Sequence, residues 1–195
     1  MTPNTIQLQK KEEENGKSAS HKKKYINIRN IYRIQDIPKD FSTNRVKGAL
    51  KPYGKVIEIN TIFNKNPKQD KEMQVTIEKT KNSIDLNELW SIPIGSIMAR
   101  VALEEDCPEI WLARKQYMAR LYGIPKHTNT VLLMKAIKNV RPKTCHIPKN
   151  SKTGKERRFT TISFQSKKDL NQACVSVARY YNSVLTWSIS RTRHL

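Results

Sequence analysis

An order of structural elements that occurs twice constrains this fold more than any other sequence feature. Alternating apolar and polar residues predict strands, and apolar residues three or four apart predict helices. The first copy begins near residue 32, with strands predicted over residues 32–38, 55–63, 71–79 and 96–103 and helices over 40–54 and 82–90. The same order follows in the second copy, with strands over 116–125, 143–149, 157–164 and 182–188 and helices over 129–140 and 167–181. The chain therefore contains two units of one β-α-β-β-α-β pattern.

This order limits how each unit can fold. A β-α-β-β-α-β chain makes two right-handed crossovers and one antiparallel four-stranded sheet, with the helices on one face. The predicted fold class is α+β, with two ferredoxin-like βαββαβ domains of two helices each. The predicted segments are a disordered basic tail, the first domain, a linker, the second domain and a C-terminal tail, over residues 1–24, 25–103, 104–116, 117–189 and 190–195. In the linker, Trp111 and Leu112 are expected to dock on one of the domains.

Positive charge is concentrated in the second half of the chain. The 195 residues include 37 Lys or Arg and 17 Asp or Glu, for a net charge of +20. Residues 117–195 hold sixteen basic and only two acidic side chains, net +14, whereas residues 25–105 are net +3. A field of this strength attracts polyanions, since neutralised phosphates release their counterions. A basic surface that serves only solubility is the alternative interpretation.

Composition also excludes several classes of protein. The three cysteines, Cys107, Cys145 and Cys174, form no CxxC pair, which disfavours a disulfide framework and a structural zinc site. No apolar run approaches the length of a membrane span, and the N-terminal residues do not resemble a secretory signal. We therefore expect an intracellular protein, with the nucleus and the cytoplasm both open, no membrane contact and no metal.

The second copy resembles an RNA recognition motif. Its first strand, Ala119-Arg120-Leu121-Tyr122-Gly123-Ile124, is similar to the hexamer of that family, and residues 157–164, RRFTTISF, are similar to its octamer. In the first copy, the stretch from Phe41 to Val56 resembles the first helix, the aromatic-Gly turn and the second strand of the family. The resemblance implies an open sheet face on which single-stranded RNA binds, with aromatic side chains stacked on bases.

Alternation predicts which side chains of the second copy lie on that open face. Arg157, Phe159 and Thr161 share one face of their strand, and Arg120 and Tyr122 share the same face of the neighbouring strand. Phe159 stands at an aromatic position of the family motif, and Tyr122 is expected to replace the aromatic residue that Arg120 displaces. Arg158 replaces the glycine of the octamer and is expected to point inward or to bend the strand.

A basic loop is predicted next to this face. Residues 149–158 contain five cations and a single anion, and in the family the corresponding loop contacts the nucleic-acid backbone. The candidate RNA-binding cations of this region are Lys149, Lys152, Lys155, Arg157 and Arg158, with Lys126 at the end of the first strand. A solvated loop without a ligand is the alternative.

The first copy departs further from the family pattern. Arg33 stands at the hexamer position, and Glu72 and Gln74 stand at the octamer positions, so the motif has no aromatic residue there. We interpret this copy as a degenerate domain that has a structural role or binds a protein partner. No paired carboxylates, nucleophile elbow or glycine-rich phosphate loop is present in the sequence, so neither an enzyme nor a cofactor is predicted.

The sequence thus predicts a protein that binds single-stranded RNA, or alternatively single-stranded DNA, mainly through the second domain. Sequence specificity is expected to be low because few aromatic side chains are available for stacking. Three alternatives stay open. They are a protein-interaction module, a nucleocapsid-like RNA-coating component of a retroelement, and a small enzyme on the same scaffold.

Overall fold

A computed structural model describes residues 29–62, 70–105 and 107–189. The predicted tails over residues 1–24 and 190–195 lie outside the described residues. So does nearly all of the polar loop that follows the second strand. No helix within the described ranges is long and apolar enough to cross a membrane.

The first domain is built on a five-stranded antiparallel sheet. Its strands are β1 (Arg29–Ile37), β2 (Lys55–Ile62), β3 (Lys71–Glu78), β4 (Ser91–Ile94) and β5 (Ile97–Leu103), in the spatial order β2-β3-β1-β5-β4. Helix α1 (Thr43–Leu50) begins where Ser42 accepts a hydrogen bond from the main-chain N–H of Arg45 at 3.3 Å. This side chain satisfies one of the N–H groups that the first helical turn leaves without a partner.

The second domain repeats this arrangement. Its strands are β6 (Met118–Tyr122), β7 (Thr144–His146), β8 (Phe159–Ser163), β9 (Ala178–Tyr180) and β10 (Ser183–Ile189), in the spatial order β7-β8-β6-β10-β9. Helices α3 (Thr130–Ala136) and α4 (Lys167–Val175) are capped by the side chains of Asn129 and Ser166. The predicted α+β class and the two ferredoxin-like domains are confirmed.

Each domain has its core on one face of its sheet. In the first domain, Ile34, Met73 and Val75 are fully buried and pack with Val46 and Leu50 of α1. In the second domain, Leu121, Ile162 and Phe164 are fully buried and pack with residues of α3 and α4. Because side chains alternate along a strand, the intervening residues project from the opposite face. The side chains on this outward face differ between the two domains.

The predicted helix over residues 82–90 was wrong. Only one turn of 3-10 helix forms there (Leu86–Glu88), and the carboxylate of Asp85 accepts from the N–H of Asn87. The following residues form β4, which pairs with β5 around a two-residue turn at Gly95, where φ is 63°. A helix as short as the predicted one is marginally stable without strong packing. The main-chain N–H and C=O groups of the residues that follow are satisfied by pairing of β4 with the edge of β5.

The predicted helix over residues 167–181 is also too long. Helix α4 ends at Val175, and β9 follows and pairs with β10. Val177 has 69% of its surface exposed, whereas Ala178 and Tyr180 are buried. The burial alternates with period two, as it does in a half-buried strand. Each domain thus has one strand more than the four predicted, in both cases in a hairpin with the last strand.

The segment between the domains contains a helix, α2 (Cys107–Ala113). Arg114, which is only 7% exposed, follows it and donates hydrogen bonds to the main-chain oxygens of Val101 and Leu89. Trp111 lies against Arg100, with 5.5 Å between the guanidinium carbon and the ring centroid. Leu112, in contrast, has 69% of its surface exposed, so the expectation that it docks is wrong.

The two domains contact each other directly. The hydroxyl of Thr130 accepts a hydrogen bond from the N–H of Met98 at 2.7 Å, and the N–H of Thr130 donates to the carbonyl of Ser96 at 3.0 Å. The hydroxyl of Ser91 donates to the carbonyl of Lys143 at 2.7 Å. These bonds join the β4–β5 hairpin of the first domain to the start of α3 and to the segment before β7.

Candidate nucleic-acid interface

An aromatic pair lies on the outward face of the second sheet. Tyr122 and Phe159 stand opposite each other on β6 and β8, and their ring centroids are 5.2 Å apart with an interplanar angle of 40°. The side chain of Tyr122 remains 37% exposed, and Phe159 is half-buried. The alternation of β6 and β8 turns Leu121 and Thr160 inward and leaves this pair facing solvent.

Two arginines flank the ring of Phe159. The guanidinium carbon of Arg120 lies 5.2 Å from the ring centroid, and that of Arg157 lies 6.0 Å from it. Both side chains are exposed, and within the described part of the chain neither forms an ion pair. Attraction between a cation and an aromatic face holds each guanidinium near the ring without neutralising its charge. We call Arg120, Tyr122, Arg157 and Phe159 the aromatic face.

Of two other predicted site residues, Thr161 lies next to the aromatic face and Arg158 contacts the connection after β6. Thr161 stands opposite Arg120 in the register of β8 with β6, two residues along from Phe159. Arg158 lies on the other side of the strand, where its Nε donates to the carbonyl oxygen of Ile124 at 3.0 Å. The glycine position of the octamer therefore holds an arginine that links the start of β8 to the connection after β6.

The basic loop between β7 and β8 is a closed hairpin with its own hydrogen bonds. The side-chain oxygen of Asn150 accepts from the N–H groups of Lys152 and Thr153, at 2.9 and 3.1 Å. The N–H of Gly154 donates to the carbonyl of Asn150 at 2.7 Å, and Gly154 has the positive φ, 72°, that glycine adopts without steric cost. These bonds give the loop a defined shape, with Lys152 and Lys155 exposed on its surface.

Lys149 has a different environment from the other predicted cations. Its ammonium group forms an ion pair with the carboxylate of Asp70, in the first domain. Both side chains are largely buried, with 26% and 14% of their surfaces exposed. Lys149 therefore belongs to the contact between the domains, and it also lines a pocket together with Lys126, Lys155 and Arg157.

The corresponding face of the first sheet is occupied by ion pairs. Arg33 donates to Glu104 at 2.9 Å from Nε, and the same nitrogen lies 3.2 Å from the carboxylate of Glu72. Gln35 donates to Glu72 at 3.2 Å. Arg33, Gln35 and Glu72 meet on this face, and Gln74 stands opposite Arg33 in the register of β1 with β3.

A cluster of partly buried charges joins the two domains at the end of β1. The register of β1 with β3 shifts after Ile34, and Asp36 adopts a positive φ of 67°. Its carboxylate accepts from the guanidinium of Arg100 at 2.7 Å and lies 3.2 Å from Nδ1 of His146 in β7. Burial acts to raise the pKa of this carboxyl, but attraction to His146 and Arg100 and their hydrogen bonds outweigh it. The pKa of Asp36 therefore lies well below its usual range.

Cys145 and His146, which are adjacent in β7, point to opposite faces of the sheet. Burial raises the pKa of the Cys145 thiol to about 12, and its Sγ lies 3.3 Å from the hydroxyl of Thr160. His146 faces outward to Asp36. Two side chains on opposite faces do not converge on a metal ion. Among the described residues, no three His, Cys, Asp or Glu side chains form a metal-binding group.

Trp187 packs with the core rather than with the aromatic face. It stands opposite Leu121 in the register of β10 with β6, and its ring centroid is 6.0 Å from that of Phe164. Thr186 and Ser188, its neighbours along β10, are exposed on the outward face.

Sequence reasoning missed the contribution of the first domain to this region. Asp36 and Asp70 reach residues of the second domain, and neither lies in a motif of the resemblance. Asp36 lies at the end of a run of alternating residues, two positions before Pro38. This pattern predicts the end of a strand, and nothing in it predicts a contact between domains. No pattern in a single sequence pairs Asp70 with a lysine that is 79 positions away.

No family model matches the sequence, and no curated protein matches it. Solved structures similar to the chain include the first two RRM domains of the yeast poly(U) binding protein Pub1, at 16% identity over 82% of this chain and 98% of that chain, with a TM-score of 0.34. The RNA binding domain of Hrp1 in complex with RNA is 12% identical over 84% of this chain and 98% of that one, with a TM-score of 0.41. RNA recognition domains 1 and 2 of Sex-lethal from Drosophila melanogaster are 12% identical over 83% and 99%, with a TM-score of 0.35. The fold of each domain is established by its strand order and not by these similarities.

Proposed function

We propose that this protein binds single-stranded RNA on the aromatic face of its second domain. The observation that carries the proposal is the exposed Tyr122–Phe159 pair, with the unneutralised guanidinium groups of Arg120 and Arg157 beside it. The aromatic rings offer surfaces for bases, and the arginines offer donors for phosphate oxygens. Single-stranded DNA has the same two chemical groups and is the second ligand to test.

The expected chemistry divides between these two groups. Stacking of a base on an aromatic side chain stabilises binding by about 1–3 kcal/mol and tolerates any base, since each has a π face. A guanidinium group binds a phosphate through charge-assisted hydrogen bonds, often two at once. Neither contact reads the edge of a base, so sequence specificity should be low.

We propose a structural role for the first domain. Its outward side chains, Arg33, Gln35 and Glu72, bind one another, and Asp36 and Asp70 bind His146 and Lys149 of the second domain. The protein partner expected for this degenerate domain is then the second domain of the same chain. We propose further that the protein acts inside the cell, in the nucleus or the cytoplasm, and that it is not an enzyme and uses no cofactor.

Salt dependence tests the electrostatic part of the proposal. The affinity for a labelled oligouridine is measured by fluorescence anisotropy between about 50 and about 200 mM salt, where two phosphate contacts give a log–log slope near −1.4. We expect a slope at least this steep, because loop lysines add to the two arginines. An affinity that does not change over this range contradicts the proposal.

Substitution of Phe159 tests the stacking part. The Phe159→Ala variant should bind the same oligonucleotide about tenfold more weakly, within the range for one lost base stack. The matched control is Gln74→Ala, on the third strand of the first sheet, which should bind like the wild type. Trp187→Ala should also lose less affinity than Phe159→Ala, and the reverse order would move the binding site away from the sheet centre.

A further inference from the structure

The second domain contains a pocket next to the aromatic face that the family motifs do not describe. It lies between the connection after β6 and the β7–β8 loop, and its volume is about 590 Å³. This is within the range of pockets that bind small ligands, about 300–1,000 Å³. Its position is fixed by the hydrogen bond of Arg158 to the carbonyl of Ile124 and by that of the Gly123 N–H to the carbonyl of Arg158 at 3.3 Å.

The lining of this pocket combines an apolar floor with a cationic rim. Ile124 is 1% exposed and forms the floor together with the half-buried Pro125 and Ile147. The basic residues of the lining are Lys126, His127, Lys149, Lys155, Arg157 and Arg158, and the single acidic one is Glu156. A flat apolar ring fits the floor and a phosphate fits the rim, and a nucleotide carries both groups.

The pocket and the aromatic face share one residue. Arg157 lines the pocket, and its guanidinium lies 6.0 Å from the centroid of the Phe159 ring. A strand stacked on Phe159 can therefore continue past Arg157 into the pocket without leaving the protein surface. The charge of Lys149 is already balanced by Asp70, whereas Lys126, Lys155 and Arg157 are exposed cations of the lining that a phosphate can approach.

We propose that this pocket binds one further nucleotide of the same RNA strand, with its base on Pro125 and Ile147 and its phosphate on Lys126 and Lys155. The inference rests on the proposed function, because it assumes that RNA occupies the aromatic face. It adds a second base-binding position away from the sheet, and it assigns Lys126 and Lys155 to a defined nucleotide.

A length series tests the pocket separately from the face. The affinity of the full chain is measured for oligouridines of about four to about ten nucleotides at fixed salt. For the wild type we expect at least a fivefold increase at the length that first reaches the pocket, about the effect of one added base contact. The double variant Lys126→Glu/Lys155→Glu should lose this increase and retain the dependence of short oligouridines on Phe159.

A matched variant controls for the change in charge. Lys138→Glu/Lys168→Glu alters net charge equally at two exposed positions outside the pocket lining and should keep the increase with length. An oligonucleotide that lacks the base at the added position should also lose the increase in the wild type. If the Lys126/Lys155 variant keeps the increase, or if the abasic oligonucleotide does, the pocket assignment is wrong.

The same series separates the two proposals. If short oligouridines bind and depend on Phe159 while the length increase is absent or unchanged in the pocket variant, the pocket assignment fails and the proposed function stands. If no oligonucleotide of any length depends on Phe159, the proposed function fails and the pocket assignment fails with it.

Discussion

The outward faces of the two sheets carry an arginine at the same place and use it differently. Arg33 in β1 stands opposite Gln74 of β3, and Arg120 in β6 stands opposite Thr161 of β8. Arg33 is held by two carboxylates, whereas Arg120 lies over an aromatic ring. The strand order around both is the same, so the fold does not decide whether this arginine is available to a ligand.

The neighbouring positions make the difference. In the second sheet, Tyr122 and Phe159 lie beside the arginine, and in the first sheet Gln35 and Glu72 lie there and bind each other. A carboxylate satisfies the donors of a guanidinium group and cancels its charge, while a ring does neither. The second sheet, with Tyr122 and Phe159 at these two positions, therefore has a face suited to polyanions. The first sheet, with Gln35 and Glu72 there, has a face whose side chains bind one another.

Removing the arginines of each face should give the largest contrast. The variant Arg120→Gln/Arg157→Gln loses two charge-assisted contacts to RNA, each worth about 1.5–3 kcal/mol, and should bind oligouridine more weakly by about 100-fold or more. The control Arg29→Gln/Arg33→Gln removes two arginines from the first sheet, where both are paired with carboxylates. It should change the affinity by less than about twofold. Equal losses in the two variants, measured by anisotropy at one salt concentration, would show that only net charge matters.

Neutralising Asp36 should have the next largest effect, on stability. Asp36→Asn leaves Arg100 in a largely buried site without its carboxylate, a change that costs about 3 kcal/mol in buried ion pairs. The free energy of unfolding is measured by chemical denaturation at neutral pH. Asp85→Asn, which alters an exposed ion pair of the same domain, is the control and should cost much less. Equal stability of the two variants would show that the Asp36 cluster does not hold the first domain in place.

The same cluster has a pH dependence with a defined sign. The pKa of Asp36 is lower in the folded protein than in the unfolded chain, so the unfolded chain binds its proton first as the pH falls. The stability that Asp36 contributes is complete above about pH 4, the ordinary value for an aspartate, and is lost as the pH falls towards its lowered native value. The Asp36→Asn variant should lack this part of the acid dependence.

The sequence predicted the strands of both domains because their alternation is regular. Residues 71–79 and 157–164 show it most clearly, and β3 and β8 lie within those ranges. The additional strands β4 and β9 were missed because each is short. β4 (Ser91–Ile94) has a proline and lies between a predicted helix and a predicted strand, and β9 (Ala178–Tyr180) lies within the range predicted as a helix. In both cases pairing with the last strand, a contact made in the tertiary structure, decides the outcome.

The aromatic face was predicted more completely than its surroundings. Local alternation places Arg120, Tyr122 and Phe159 on one side, and the structure has them there. The ion pair of Lys149 with Asp70 depends on how the two domains meet. From the basic composition of the loop, Lys149 was predicted to bind RNA. A charge count identifies cations but not their partners.

Transferring the aromatic pair to the first sheet should sharpen the comparison with a gain. The variant Gln35→Tyr/Glu72→Phe places the two rings on the first sheet and removes the ion pair of Arg33 with Glu72, while its ion pair with Glu104 stays. We expect the affinity for long oligouridines to rise about fivefold, as for one weak base stack, with no change for short ones that already fill the second domain. The control Gln35→Asn/Glu72→Gln removes the charge without adding rings. If the control gains as much, charge and not stacking limits the first sheet.

The smallest expected effect comes from Glu156, the one acidic residue in the β7–β8 loop. Its side chain is exposed at the rim of the pocket, where a carboxylate repels an incoming phosphate. Because the repulsion crosses solvent, Glu156→Gln should strengthen binding by only about twofold at low salt, and the gain should disappear as the Debye length shortens. Glu109→Gln, an exposed position of α2, changes the net charge equally and should have no such effect. A gain that persists at high salt would mean that the effect is not screened repulsion across solvent. A gain that Glu109→Gln reproduces would mean that the loop does not approach the RNA backbone, and the contrast between the two domains would then rest on the aromatic face alone.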